Sequence, residues 1–473
     1  MDQWIINAPR WLLLAALIYA PWAYGSTRPW TVTGLNWILG TTIGLWLISH
    51  LFQQRWPKVN RVQLLATAFL IGLAWFMVFN ARYEYDQSSL EFLARSQAFA
   101  FAPGSLDRDL SFDSAIRCTL MLMVGLVAFE VAESSRWRKR ILGTMILVGC
   151  SIVGLGLAQR FTGATGIFWA REDLGPNFFA TFRNHTNAGA YLNLIWPLAV
   201  GFAVREKLAT GLTWRFVVWT ALAVICLTGV MVNTSRAANS LAAGLLLLTG
   251  IWLIWQAVKG RFGDISPASI AAATVLLVIV IGTLAFMTGL DSNLGRWRQF
   301  DKQLTEDNSR LLAARACLKM IPESGWWGFG PGTFESAFPY FTAEFGNQLR
   351  GRWIFAHQDY LQTLIEWGYV GGAMWAIAIF GGIIRSVVRG FRYRRRLSTE
   401  TRITHFALLV SASGVLLHAL VDFPLQIASI QLYVIVLIGM LWSSHHWIQS
   451  AHQQNRARPQ RREAQVESLN CAA

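Results

Sequence analysis

His357, Gln358, Asp359 and Glu366 stand in the stretch HQDYLQTLIEWGYVGG, at the front of an apolar run that follows a long polar segment. A neutral imidazole can take a proton from a hydroxyl, and a neighbouring amide or carboxylate can orient the ring or its substrate. At a helix N-terminus the dipole disfavours the imidazolium, which favours that neutral form. Arginines open three other predicted helices. TFRNHTNAG carries Arg183, Asn184, His185 and Asn187, NTSRAANS carries Arg236, and DNSRLLAARACLKMIPESGWWGFGPGTF supplies Arg310 behind the N-cap types Asn308 and Ser309. A guanidinium is planar and always charged, and it binds a diphosphate through paired hydrogen bonds. The expected chemistry is proton abstraction beside a bound anion.

Each residue also has a structural role open to it. Arg236, in a tight turn with no acidic residue beside it in the sequence, is either an anion ligand or a snorkelling side chain at a span end. Arg310 begins a short surface helix that Pro322 is expected to stop, so lipid headgroups are its alternative partner. Asp422 either pairs with one of these arginines or caps the turn before Pro424. GFGPGTF lacks the lysine of a phosphate-binding loop and reads as a turn where backbone approaches backbone. Asp107-Arg108-Asp109 has the spacing with which metal-dependent transferases hold a divalent ion. The triplet is common in polar loops, and no metal or cofactor is expected.

The elements that must position these groups are membrane helices. Of 473 residues, 54% are hydrophobic and 14% charged, a membrane protein's composition. Apolar runs long enough to cross a bilayer recur throughout, giving about 12 predicted transmembrane helices. The first six are 11–24, 35–52, 62–79, 115–131, 141–158 and 188–204. The second six are 216–232, 237–258, 265–287, 367–387, 404–421 and 427–447. The first run, although preceded by Arg10, is followed by Pro21, Trp22 and Tyr24 rather than a cleavage site, and reads as a helix. On this basis His357 heads helix ten, with Tyr360, Leu361, Leu364, Gly368 and Gly371 near its face and Glu366 opposite.

The net charge of +15 collects in alternate short connections: Arg55 to Arg61, Arg136 to Arg140, Arg205 to Arg215, Lys259 and Arg261, and Arg385 to Arg396. The positive-inside rule puts these in the cytoplasm with both termini and the basic tail 451–473. This excess therefore predicts topology and anionic lipid contact rather than nucleic-acid binding. Long connections fall on the other side, above all the loop 288–366 before helix ten. Five cysteines without paired spacing predict neither a disulfide framework nor a zinc site. Ionisable residues deep within spans are few, His418 being the main one, which disfavours a proton-coupled transporter.

At these residues the sequence resembles the O-antigen ligase and O-antigen polymerase superfamily of bacterial inner-membrane glycan transferases. Ligases of that family carry His, then Asn, Ser or Gln, nine residues, Gly, two residues, and Gly, Thr or Tyr. His357, Gln358, Gly368 and Gly371 meet each term. The SRA element at Arg236, the arginine before the surface helix at Arg310 and the GFGPGTF turn extend the likeness over about 182–422, within a transmembrane domain of 1–450. The resemblance implies a GT-C-like, metal-independent, inverting glycosyltransferase of the cell inner membrane. Its donor would be an undecaprenyl-diphosphate-linked glycan, used at the periplasmic face. His357 would be the general base, and Arg236, Arg310 and Arg183 would bind the donor diphosphate, supported by Gln358, Asn184 and Asp422. The acceptor would be lipid A-core or another lipid. A surface polysaccharide polymerase with the same donor is the close alternative, and a lipid-linked sugar flippase without covalent chemistry the alternative of a different class.

Overall fold

Seven helix starts among the described residues are written into the sequence as side-chain caps. The side chains of Asn60, Asp107, Asn184, Thr213, Ser235, Gln358 and Ser398 each accept a hydrogen bond from a backbone N–H two or three residues on. In the computed structural model of the protein these open α3 (Arg61–Phe79), α4 (Arg108–Val131), α6 (His185–Thr210), α7 (Trp214–Val232), α8 (Arg236–Val258), α10 (Asp359–Arg392) and α11 (Thr399–His418). The remaining long helices are α1 (Asp2–Trp22), α2 (Pro29–Gln53), α5 (Ser135–Phe161), α9 (Ser309–Ser324) and α12 (Ala428–Ile448). The structure describes residues 2–89, 91–171, 174, 177–262, 265–272, 274–275, 278, 282, 309–349, 351–394 and 397–448. Part of the ninth predicted span, the first part of the long loop, Arg395, Arg396 and the basic tail lie outside them.

The protein is an all-α, polytopic membrane protein. Among the described residues, ten helices are long and apolar enough to cross a bilayer. The eleventh predicted span forms as helix α11 but is not among those ten. It packs against α6 with Ser411, His405 and Gly414 buried, and a helix enclosed by protein need not be apolar all round. Helices α6 and α12 are the most enclosed, 83% and 89% buried over their apolar windows. Close approach depends on small residues: a Cβ on Gly439 of α12 would stand 2.5 Å from the Gly125 carbonyl oxygen of α4. The four described cysteines are free thiols.

Packing fixes which helix ends share a side. At one end, Glu400 at the start of α11 pairs with Lys139 of α5 at 2.8 Å and lies 3.8 Å from Arg205 of α6, so the basic connections gather there. At the other end, the first long connection carries an antiparallel hairpin, β1 (Tyr83–Asp86) with β2 (Glu91–Ala94). The start of α10 joins the end of α11 at this end too. Asp359 N–H donates to the Ala419 carbonyl at 3.1 Å, and the Tyr360 hydroxyl donates to the Leu416 carbonyl at 2.7 Å.

Two local expectations are corrected. Pro322 does not stop its helix, because α9 runs on to Ser324 and ends at Gly325 with φ +62°. A proline leaves one upstream carbonyl unbonded, which a helix near its own end tolerates. His357 does not lie on a helix face either. It precedes the Gln358 cap in the left-handed region, φ +54°, so the 3.6-residue spacing does not govern its ring.

Candidate functional site

Gln358 fixes where His357 points. Its Oε1 accepts from Leu361 N–H at 2.5 Å, which starts α10 and leaves the preceding residue outside the helix. The His357 ring stands edge-on to Trp353 and Phe423, at centroid distances of 5.5 and 4.6 Å. Nδ1 lies 3.3 Å from Asp422 Oδ1, ion-pair range without full hydrogen-bond alignment. The ring is 26% exposed and the carboxylate 1%. A buried acid behind a half-exposed imidazole selects the tautomer protonated on Nδ1 and leaves Nε2 as the basic nitrogen.

Asp422 sits in the connection between α11 and α12, and Asp359 holds that connection in place. Oδ2 of Asp359 accepts from Leu425 N–H at 2.9 Å and Oδ1 from Gln426 Nε2 at 3.0 Å. Asp359 is therefore a clamp rather than a partner of the ring. Burial on its own would raise the Asp422 carboxyl, but the His357 ring, the Arg310 guanidinium and the His418 ring together hold it below the usual carboxylate range. A depressed native value contributes stability that is full above the unfolded pKa, about 3.9, and lost as pH falls through the native value. Thermal midpoints measured from pH 6 downward are therefore expected to fall less steeply below about pH 4 in Asp422→Asn than in the parent. Parallel curves would refute the ionised Asp422.

Arg310, exposed on the first turn of α9, shares this field with His357 and Asp422. Arg236 and Arg183 occupy the same end of the bundle on a neighbouring flank. Arg236 opens α8 behind Thr234 at φ +65° and the Ser235 cap, and the Asn233 side chain accepts from Ser235 N–H at 2.9 Å. This turn lies on the first turn of α6, where a Cβ on Gly189 would meet Ala238 Cβ at 2.4 Å. Arg183 is exposed just before α6, and Asn184 caps that helix by accepting from Thr186 N–H at 2.8 Å. Helix α11 joins the flanks: a Cβ on Gly414 would touch Leu245 of α8 and the Asn193 carbonyl of α6.

The glycine turn is a brace under α10. Phe329 and Gly330 N–H groups donate to the Ile365 and Glu366 carbonyls at 3.0 and 2.9 Å. The buried Glu366 carboxylate accepts from Gly332 N–H, Phe334 N–H and Gln362 Nε2. The Glu366 carboxylate is thus tied to the turn and to its own helix. Asp107 takes a capping role: one oxygen accepts from Asp109 and Leu110 N–H at 3.2 Å, the other from the Ser336 hydroxyl at 2.8 Å. Asp109 points outward, 59% exposed, so the two carboxylates do not converge as a metal pair would.

Sequence reasoning singled out His357, Arg310 and Asp422 and could not see Asp359 and Glu366 as braces. The turn and the connection they hold lie more than thirty residues away, and no local pattern marks them. In comparison with known proteins, the family model described as O-antigen ligase matches residues 221–376, a stretch that contains Arg236, Arg310 and His357. A search of the curated proteins finds no match. The family match supports membership of the O-antigen ligase superfamily and a membrane glycosyltransferase role of ligase or polymerase type.

Proposed function

We propose that this protein moves a glycan from undecaprenyl diphosphate to an acceptor hydroxyl at the periplasmic face of the bacterial inner membrane, as an O-antigen ligase. The reading rests above all on the His357–Asp422 pair at 3.3 Å with Arg310 in its field. The end bearing the basic connections faces the cytoplasm by the positive-inside rule, which puts the His357 end outside.

In this reaction Asp422 holds the Nδ1–H of His357, and Nε2 takes the proton of the acceptor hydroxyl. The acceptor oxygen bonds to the anomeric carbon from the face opposite the diphosphate, and the carbon–oxygen bond to the diphosphate breaks with inversion. Negative charge gathers on the departing undecaprenyl diphosphate, where Arg310, Arg236 and Arg183 stabilise it without a metal ion. Gln358 and Asn184 support the site by fixing, as helix caps, the residues beside them.

The test is purified protein incubated with undecaprenyl-diphosphate glycan and lipid A-core, with and without EDTA. A single glycan–lipid product, unchanged by EDTA, is expected. A ladder of repeat units would identify a polymerase, EDTA sensitivity would refute the metal-free mechanism, and donor movement across vesicles with no covalent product would identify a flippase.

A further inference from the structure

We propose that a second site, in the cavity between α4, α10 and α12, binds the hydroxyl-rich headgroup of a membrane lipid. The cavity measures about 260 Å³ and lies beneath the glycine turn, lined by Asp359 but not by His357. That is room well beyond a single water.

Its polar groups form a mixed set. Trp375 Nε1 is a buried donor and Gln431 Oε1 a buried acceptor, and neither finds a hydrogen-bond partner among the described residues. Arg117 of α4 lines the same space, and its Nη1 reaches the Gln426 carbonyl only at 3.5 Å. Two carboxylates, Glu366 and Asp359, also face it, each already held by donors yet with acceptor capacity remaining. An anionic headgroup would meet both carboxylates, and an ammonium group would meet the guanidinium. A hydroxyl donates and accepts, so several on one headgroup match indole N–H, amide oxygen, guanidinium and carboxylates together. Buried groups of this kind are costly to leave unbonded.

Apart from Ser114, Tyr360, Thr363 and Gln426, the rest of the lining is apolar. It follows α10 from Asp359 to Phe380, on both sides of the break in the helix at Gly368, past Trp367 and Ile379. A free sugar has no use for such a wall, whereas an acyl chain does. The headgroup chemistry is shared by two sources, a glycerol- or sugar-headed bilayer lipid and a glycolipid acceptor.

The experiment incubates the full-length protein in detergent with monoglucosyl diacylglycerol or plain diacylglycerol and counts retained lipid by native mass spectrometry. One monoglucosyl diacylglycerol, held saturably and in preference to diacylglycerol, is expected. Trp375→Phe and Gln431→Leu, on separate helices, should each weaken retention about fivefold, the usual worth of one hydrogen bond. Either variant carries the test if the other misfolds. Competition by monoolein, an uncharged glycerol-headed bilayer lipid, would identify the bilayer source, and lack of competition the glycolipid acceptor. Equal retention of the two lipids, or retention unchanged in folded variants, would overturn the site. Because binding is read without turnover, His357→Ala should retain lipid like the parent, and the fate of the transfer reaction does not decide this result.

Discussion

Replacing His357 with Ala is expected to lower glycan transfer by about 10² to 10⁴-fold, the range that a positioned general base supplies. Protein abundance and thermal midpoint should stay close to those of the parent. The reason lies in how the ring is held. It touches Trp353 and Phe423 by their edges and is 26% exposed, so its removal opens no sealed cavity. It does leave Asp422 without its nearest polar partner, but Arg310 and His418 remain in the same field. A His357→Gln variant, similar in size and unable to take the proton, should fail as Ala does. Transfer at the parent rate by either variant, with purified donor and acceptor, would reject His357 as the base.

The second large effect concerns the backbone. Gly368→Ala is expected to destabilise the protein by at least about 3 kcal/mol, a strained dihedral plus a steric clash. Gly368 has φ +65° and ψ −172°, a conformation essentially reserved for glycine. An added Cβ would stand 2.4 Å from Gly328 N and 2.4 Å from the Trp326 carbonyl. Gly328, at φ +82°, is in the same position from the other side, its Cβ meeting the Glu366 carbonyl oxygen at 2.3 Å. These are backbone atoms and cannot swing away as a side chain would. Gly244→Ala is the control: nothing lies within 4 Å of its Cβ, and alanine favours a helix interior by about 1 kcal/mol. Heating detergent-solubilised protein before size exclusion should show a large drop in midpoint for Gly368→Ala and none for Gly244→Ala. Equal midpoints would mean that the turn does not bear on α10.

This pairing changes how the His357, Gly368 and Gly371 spacing is understood. Of the three, only His357 has a side chain able to take up a proton. Gly368 is a contact between two stretches of backbone, and Gly371 packs its Cα beside Trp367 and Leu73. GFGPGTF reads correctly from the sequence as a place of close approach, because three glycines within five residues have few other uses. What it approaches is not written there. The match with the O-antigen ligase family spans both halves of this contact, Gly328 and Gly368.

The sequence by itself determined the membrane-helical class, most of the helix starts, the basic end and the residue types suited to chemistry. These follow from local causes: apolar run length, capping side chains, and charge clustered in short connections. Tertiary structure alone decided that Asp422 stands behind the His357 ring and that Asp359 and Glu366 are braces. Each of those facts joins segments that packing brings together across tens of residues, and a side chain's burial and electrostatic field exist only once that packing has formed.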